Sequence, residues 1–181
     1  MISAFKNLKA RLRHLWQSED GSPTVEFVLV FPVIMGLFFA TAEFGLLMTR
    51  QSMLETAVDK TVRHLRLGHF ASPDQDDLRR TICKYAAIIP DCRNSLLIEL
   101  RPVSTVTWSP LSSDTTCKDR NSEISPVVSL NPGVQNEMVL VRVCAVFSPF
   151  FPTSALGMRL ARDELGGYAL VASSAFVNEP S

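Results

Sequence analysis

The sequence predicts an α+β fold: a long N-terminal transmembrane helix that continues into a soluble domain, a second short helix and a three-stranded antiparallel sheet. Three observations predict it. An apolar run of membrane length covers residues 27–49. Apolar residues keep helical spacing beyond that run, and three later segments alternate apolar and polar residues as half-buried strands do. A long helix laid across such a sheet buries the apolar faces of both elements.

The apolar run contains one charged residue, Glu43, in the 23 residues from Phe27 to Thr49. At 1.5 Å per residue it is roughly 34 Å long, enough to cross a hydrocarbon core of about 30 Å. A buried core helix is the alternative, but residues 27–42 offer no polar face to water. Pro32 lies one turn inside, where membrane helices tolerate proline.

The helix is expected to continue to about residue 67, because no proline or glycine interrupts it before Gly68. Leu54, Val58 and Leu65 recur there at helical spacing. The predicted organisation is a basic leader at 1–21, a transmembrane helix at 22–50 and an extracytoplasmic α+β domain at 51–181.

The remaining elements follow from capping residues and alternation. Ser72 is the expected N-cap of a second helix, Pro73 its first residue and Pro90 its end. Three β-rich segments then follow, at residues 95–108, 137–147 and 167–178.

Four cysteines, all after the span, indicate an oxidising compartment. They are Cys83, Cys92, Cys117 and Cys144. Their spacing contains no C-x-x-C pair and all three histidines precede them, so two disulfides are favoured over a metal site, and no metal is expected. Three connectivities are open, of which Cys83–Cys92 with Cys117–Cys144 is the most local.

Charge and motif content argue against several functions. The 18 Lys and Arg residues balance 18 Asp and Glu, so no overall basic character indicates nucleic acid binding. The sequence contains no hydrolase, zinc-protease or phosphate-loop motif, so we expect neither an enzyme nor a cofactor. The basic leader favours a cytoplasmic N-terminus, but positively charged residues also follow the membrane span, so charge alone does not decide the orientation. The four cysteines after the span indicate an oxidising compartment and therefore an extracytoplasmic C-terminal domain.

The stretch GSPTVEF at residues 21–27 places Glu26 inside the start of the apolar run, where ionisable groups tend to mark function. It resembles the processing site of type IV pilin-like proteins, with Gly21 before the cut, Ser22 as the new first residue and Glu26 as the fifth. Phe27 follows the glutamate as in the tight-adherence branch. The block from 21 to 66 is similar to the TadE-like pseudopilin family of the tight-adherence (Flp) pilus system, with Pro32, Glu43-Phe44-Gly45 and Ala57 also in place.

The resemblance implies a minor pilin-like component of Flp pilus assembly, with a pilin-like fold. A prepilin peptidase would cut it between Gly21 and Ser22, and it would act through membrane-helix packing and head contacts with other pilus subunits. Glu26 would pair with the new amine of a neighbouring subunit. The location implied is the bacterial inner membrane, crossed once in the lipid bilayer, with the C-terminal domain in the periplasm. The alternative is an uncleaved, signal-anchored envelope adaptor or structural protein.

Glu43, the acid within the transmembrane segment, has two open interpretations. It lies near the outer interface, where a charge costs little, or it faces a partner helix.

Overall fold

The computed structural model describes residues 23–70, 73–107, 117–118, 126–151 and 167–179. These residues form, in chain order, α1 (Pro23–Arg66), α2 (Gln75–Tyr85), α3 (Cys92–Ser95), β1 (Leu96–Val103), β2 (Met138–Phe147) and β3 (Tyr168–Val177). The predicted α+β class is therefore confirmed. The chain divides into two compact units, with the boundary between Phe39 and Ala40. We call the second unit, residues 40–181, the head.

Helix α1 matches the predicted helix to within one residue at its C-terminal end. It begins at Pro23. Proline fits this position because the first N–H groups of a helix have no partner within the helix, so the N–H that proline lacks is not needed. Glu26 lies in the first turn, where the helix dipole favours a negative charge. It continues through Pro32 without ending. After Arg66 the chain leaves the helix at Gly68, whose φ of +69° lies in the left-handed region that favours glycine.

The second helix is shorter than the sequence predicted. It begins at Gln75, and its N-cap is Asp74, whose carboxylate accepts from the Gln75 N–H at 2.6 Å. The predicted cap, Ser72, lies outside the described residues. The helix ends at Tyr85, five residues before Pro90. A helix continued to Ile89 would already lie about 9 Å along its axis from Cys83, whereas the Cα atoms of Cys83 and Cys92 lie only 5.8 Å apart across a disulfide.

The three strands form one antiparallel sheet in the order β1-β2-β3, as predicted. The register aligns Ile98 with Val143 and Val143 with Ala172, so one row of buried side chains crosses all three strands. From Val143 onward both faces of β2 are buried. The last residues of β2 are therefore mostly apolar on both faces. Apolar and polar residues alternate along a strand only where one face of the sheet is in contact with water.

The head core lies between the sheet and one stripe of α1. The stripe has the spacing of one helix face, with successive members mostly three, four or seven residues apart: Leu47, Leu54, Ala57, Val58, Val62 and Leu65. Leu78 and Ile82 of α2 complete the same cluster. The Gln51 side chain adds a polar link, donating from Nε2 to the Val171 carbonyl at 3.1 Å.

A tight turn precedes β2. Gly133 has a φ of +74°, and its N–H donates to Asn131 Oδ1 at 3.0 Å. A Cβ added at Gly133 would lie 2.8 Å from Cγ2 of Val139, a fully buried residue of β2. Both the backbone conformation and the space therefore require glycine here.

Candidate membrane and assembly site

The first part of α1 exposes its apolar side chains. From Val25 to Phe39 the large ones are between 41% and 68% exposed, apart from the half-buried Met35. Such a continuous apolar surface is unusual for a water-soluble face and marks an interaction with protein or membrane. Within the described part of the chain, α1 is the one helix long and apolar enough to cross a membrane. This finding supports membrane anchoring.

The pilin-like residues lie at the start of this surface. Glu26 is exposed, and no hydrogen bond or ion pair joins it to another described residue. Phe27 is 60% exposed and stacks on Phe31, with 4.9 Å between ring centroids. Gly21 and Ser22 lie outside the described residues, so the processing site stays a prediction.

Glu43 makes contacts that the sequence did not predict. It is 1% exposed, inside the head rather than on its surface. Its Oε1 accepts from the Phe150 N–H at 3.0 Å, and its Oε2 accepts from the Phe151 N–H at 2.9 Å. The carboxylate therefore binds the backbone just after β2. Because ionised acceptors make stronger hydrogen bonds than neutral ones, the pair is well suited to hold this segment on α1.

The helical register explains why Glu43 faces the head. It lies four residues before Leu47 and eleven before Leu54, on the stripe that packs on the sheet. Side chains at such spacings share one helix face. Extending the apolar stripe backwards from Leu54 would have shown that Glu43 points at the head. No local signal in the sequence identifies Phe150 and Phe151 as its partners, because they lie more than a hundred residues away.

An aromatic contact also joins the end of β2 to α1, about two helical turns after Glu43. The Arg50 guanidinium carbon lies 4.6 Å from the ring centroid of Phe147, the last residue of β2. Such a cation–π contact favours a cation at that face of the ring. Glu43 and Arg50 thus fix the end of β2 and the following residues against α1.

The cysteines form two disulfides, Cys83–Cys92 and Cys117–Cys144. This is the connectivity that the sequence favoured as the most local. The rings of His64 and His69 approach, with 3.1 Å between their Nδ1 atoms. Within the described ranges no group of three or more His, Cys, Asp or Glu side chains could hold a metal ion.

Over the residues that the structure describes, these features define a class of protein: one candidate membrane helix that continues without a break into a disulfide-bonded α+β head. The model of the TadE-like protein family matches residues 21–63. The resemblance predicted from the sequence is therefore confirmed over that segment, which is about a quarter of the chain. The match suggests involvement in the tight-adherence pilus system, through a family that is typically structural rather than catalytic. No curated protein and no solved structure matches the chain.

Proposed function

We propose that this protein is a minor pilin-like component of tight-adherence Flp pilus assembly. A prepilin peptidase cuts it between Gly21 and Ser22, and the mature chain keeps α1 as its membrane helix. It acts through packing of that helix with other pilus subunits and through contacts of the head. It needs no catalytic step of its own.

The observation that carries the proposal is the extent of the family match. It begins at Gly21, covers the exposed apolar part of α1 and ends at residue 63, near the end of the helix. It therefore includes the processing motif, Glu26, the buried Glu43 and most of the stripe that packs on the sheet. A membrane anchor of arbitrary sequence would need none of the charged positions.

Glu26 has a physical role in this proposal. Cleavage after Gly21 creates a positive amine on Ser22, about one helical turn from Glu26. Each charge is costly alone in hydrocarbon, and pairing between neighbouring subunits offsets that cost. The pair would set the axial register between subunits. The exposed Glu26 side chain, which has no described partner within its own chain, supports an intermolecular role.

The proposed location is the bacterial inner membrane, with the leader in the cytoplasm and the head in the periplasm. The two disulfides support an oxidising compartment for the head. The partners are the prepilin peptidase, other pilin-like or assembly subunits and the lipid bilayer.

The deciding experiment is the intact mass and N-terminal sequence of the membrane-extracted protein, from cells with and without their prepilin peptidase. We expect a chain that starts at Ser22 when the peptidase is present and at Met1 when it is absent. Gly21→Leu should abolish the cut, while Gly36→Ala, a matched glycine change outside the motif, should leave it intact. A wild-type chain that starts at Met1 in both strains would support the uncleaved, signal-anchored adaptor instead.

A further inference from the structure

A cavity of about 640 Å³ lies in the head, beside the contacts that Glu43 and Arg50 make with the end of β2 and the residues after it. Its volume falls within the usual range of small-ligand sites. The wall contributed by α1 and β2 includes Arg50 and Phe147, and Phe150 extends it just after β2. Other walls include Asp91, Asn94 and Lys118.

The charged side chains of the cavity favour an anion. Two cations, Arg50 and Lys118, line it together with one carboxylate, Asp91. That carboxylate already accepts a hydrogen bond from Asn94 Nδ2 at 2.8 Å. Neither cation forms an ion pair with a carboxylate among the described residues. The lining therefore carries a net positive charge, and no ion pair among the described residues neutralises either cation.

Arg50 is held against the wall of the cavity. Its Nε is buried and has no hydrogen-bond partner in the described part of the chain, so a ligand in the cavity would have to bind the terminal nitrogens of the guanidinium. The guanidinium carbon lies over the Phe147 ring, 4.6 Å from its centroid. A planar guanidinium held in this way is the side chain best suited to bind phosphate oxygens.

The two disulfides brace the other walls. Cys117–Cys144 ties the residue next to Lys118 to the central strand β2. Cys83–Cys92 ties α2 to the turn that carries Asp91. The cavity is therefore bounded by covalently fixed segments, so its charged groups need little reorganisation to bind a ligand.

The position of the cavity indicates where the anion comes from. Phe150 lines the cavity, is 66% exposed and donates its backbone N–H to Glu43. Glu43 is the first buried residue of α1 after the exposed apolar segment. Arg50 follows seven residues later, roughly 10 Å along the helix. Headgroups extend about 5–7 Å beyond the hydrocarbon, and a long arginine side chain reaches across the remaining distance.

We infer that this cavity binds the phosphate group of an anionic phospholipid in the leaflet next to the head. Arg50 and Lys118 contact the phosphate oxygens, and the exposed Phe150 ring lies against the glycerol and upper acyl region. The bound lipid fixes the depth of the head at the membrane surface. The inference is independent of cleavage at Gly21.

The test uses the full chain in a nonionic detergent, titrated with dioctanoyl phosphatidylglycerol and followed by native mass spectrometry. We expect a one-to-one complex that weakens roughly tenfold in Arg50→Gln and in Lys118→Gln, the loss typical of one charge-assisted hydrogen bond. Arg63→Gln, an exposed cation on the same helix away from the cavity, is the matched control and should bind as the wild type does. Intact disulfides and an unchanged melting temperature establish that each variant is folded.

Two further titrations identify the source of the anion. Dioctanoyl phosphatidylcholine, which is zwitterionic, should bind at least tenfold more weakly, and equal binding would overturn the inference. Inorganic phosphate that binds as tightly as the lipid, and displaces it fully, would assign the cavity to a free anion instead. Equal weakening by Arg63→Gln would show non-specific charge attraction. If Arg50→Gln does not fold, Lys118→Gln decides, and unchanged lipid affinity in that variant overturns the inference.

Discussion

Replacing Glu43 by alanine would remove both acceptors of the Phe150 and Phe151 N–H groups in one step. The change leaves the apolar stripe of α1 intact, because Leu47 and the residues after it are untouched. It therefore isolates the link between α1 and the segment that follows β2. The link lies within the head, so its loss should appear as lower head stability.

The magnitude follows from the two hydrogen bonds. Bonds to charged groups contribute about 1.5–3 kcal/mol each, and these two are half-buried, so the lower value applies. The sum is about 3 kcal/mol. For a domain of this size 1 kcal/mol shifts the melting temperature by roughly 2–4 °C, which gives a fall of about 6–12 °C. Glu43→Gln keeps one acceptor oxygen, but the remaining bond is neutral and contributes about 1 kcal/mol, so the loss should be at least about 2 kcal/mol.

The assay is thermal unfolding of the full chain in detergent, followed by near-ultraviolet circular dichroism. Tyr168 is 1% exposed and packs edge-on against Phe147, so its signal reports the core next to the link. Asp59→Ala is the matched control, an exposed acid on the same helix, expected to change the melting temperature by less than about 2 °C. If Glu43→Ala melts no lower than this control, the link does not stabilise the head.

Three further changes test other parts of the structure. Gly133→Ala places a Cβ within 2.8 Å of the Val139 side chain, on a residue with positive φ. It should destabilise the head by at least about 1 kcal/mol, measured by the same thermal unfolding, and an unchanged melting temperature would refute the turn geometry. Gly45→Ala should have the opposite sign, because it meets nothing within 4 Å and removes a helix-interior glycine, adding about 0.5–1 kcal/mol. Glu26→Gln should leave melting and peptidase cleavage unchanged but abolish co-purification with pilus subunits, and normal co-purification would contradict the proposed pairing with the Ser22 amine.

The disulfides illustrate how far the sequence could go. Cysteine count and position indicated two disulfides and an oxidising compartment, but three connectivities were open. The structure selects the pairs by proximity, placing Cα atoms 5.8 Å and 5.3 Å apart. The second helix shows the reverse case. A short polar N-cap residue was correctly expected, but Ser72 and Asp74 are both suitable and lie two residues apart. The sequence therefore predicted a start at Pro73, whereas the helix begins at Gln75.

The sequence by itself determined the long helix, the three strands and the TadE-like resemblance, since periodicity, apolar length and a local motif are properties of neighbouring residues. Only the tertiary structure decided the role of Glu43. Its surroundings in sequence are apolar and indicate a membrane, whereas its partners are the backbone N–H groups of residues 150 and 151. The cavity between Arg50 and Lys118 was equally hidden. Contacts between residues so far apart depend on how the chain folds back, which no local pattern encodes.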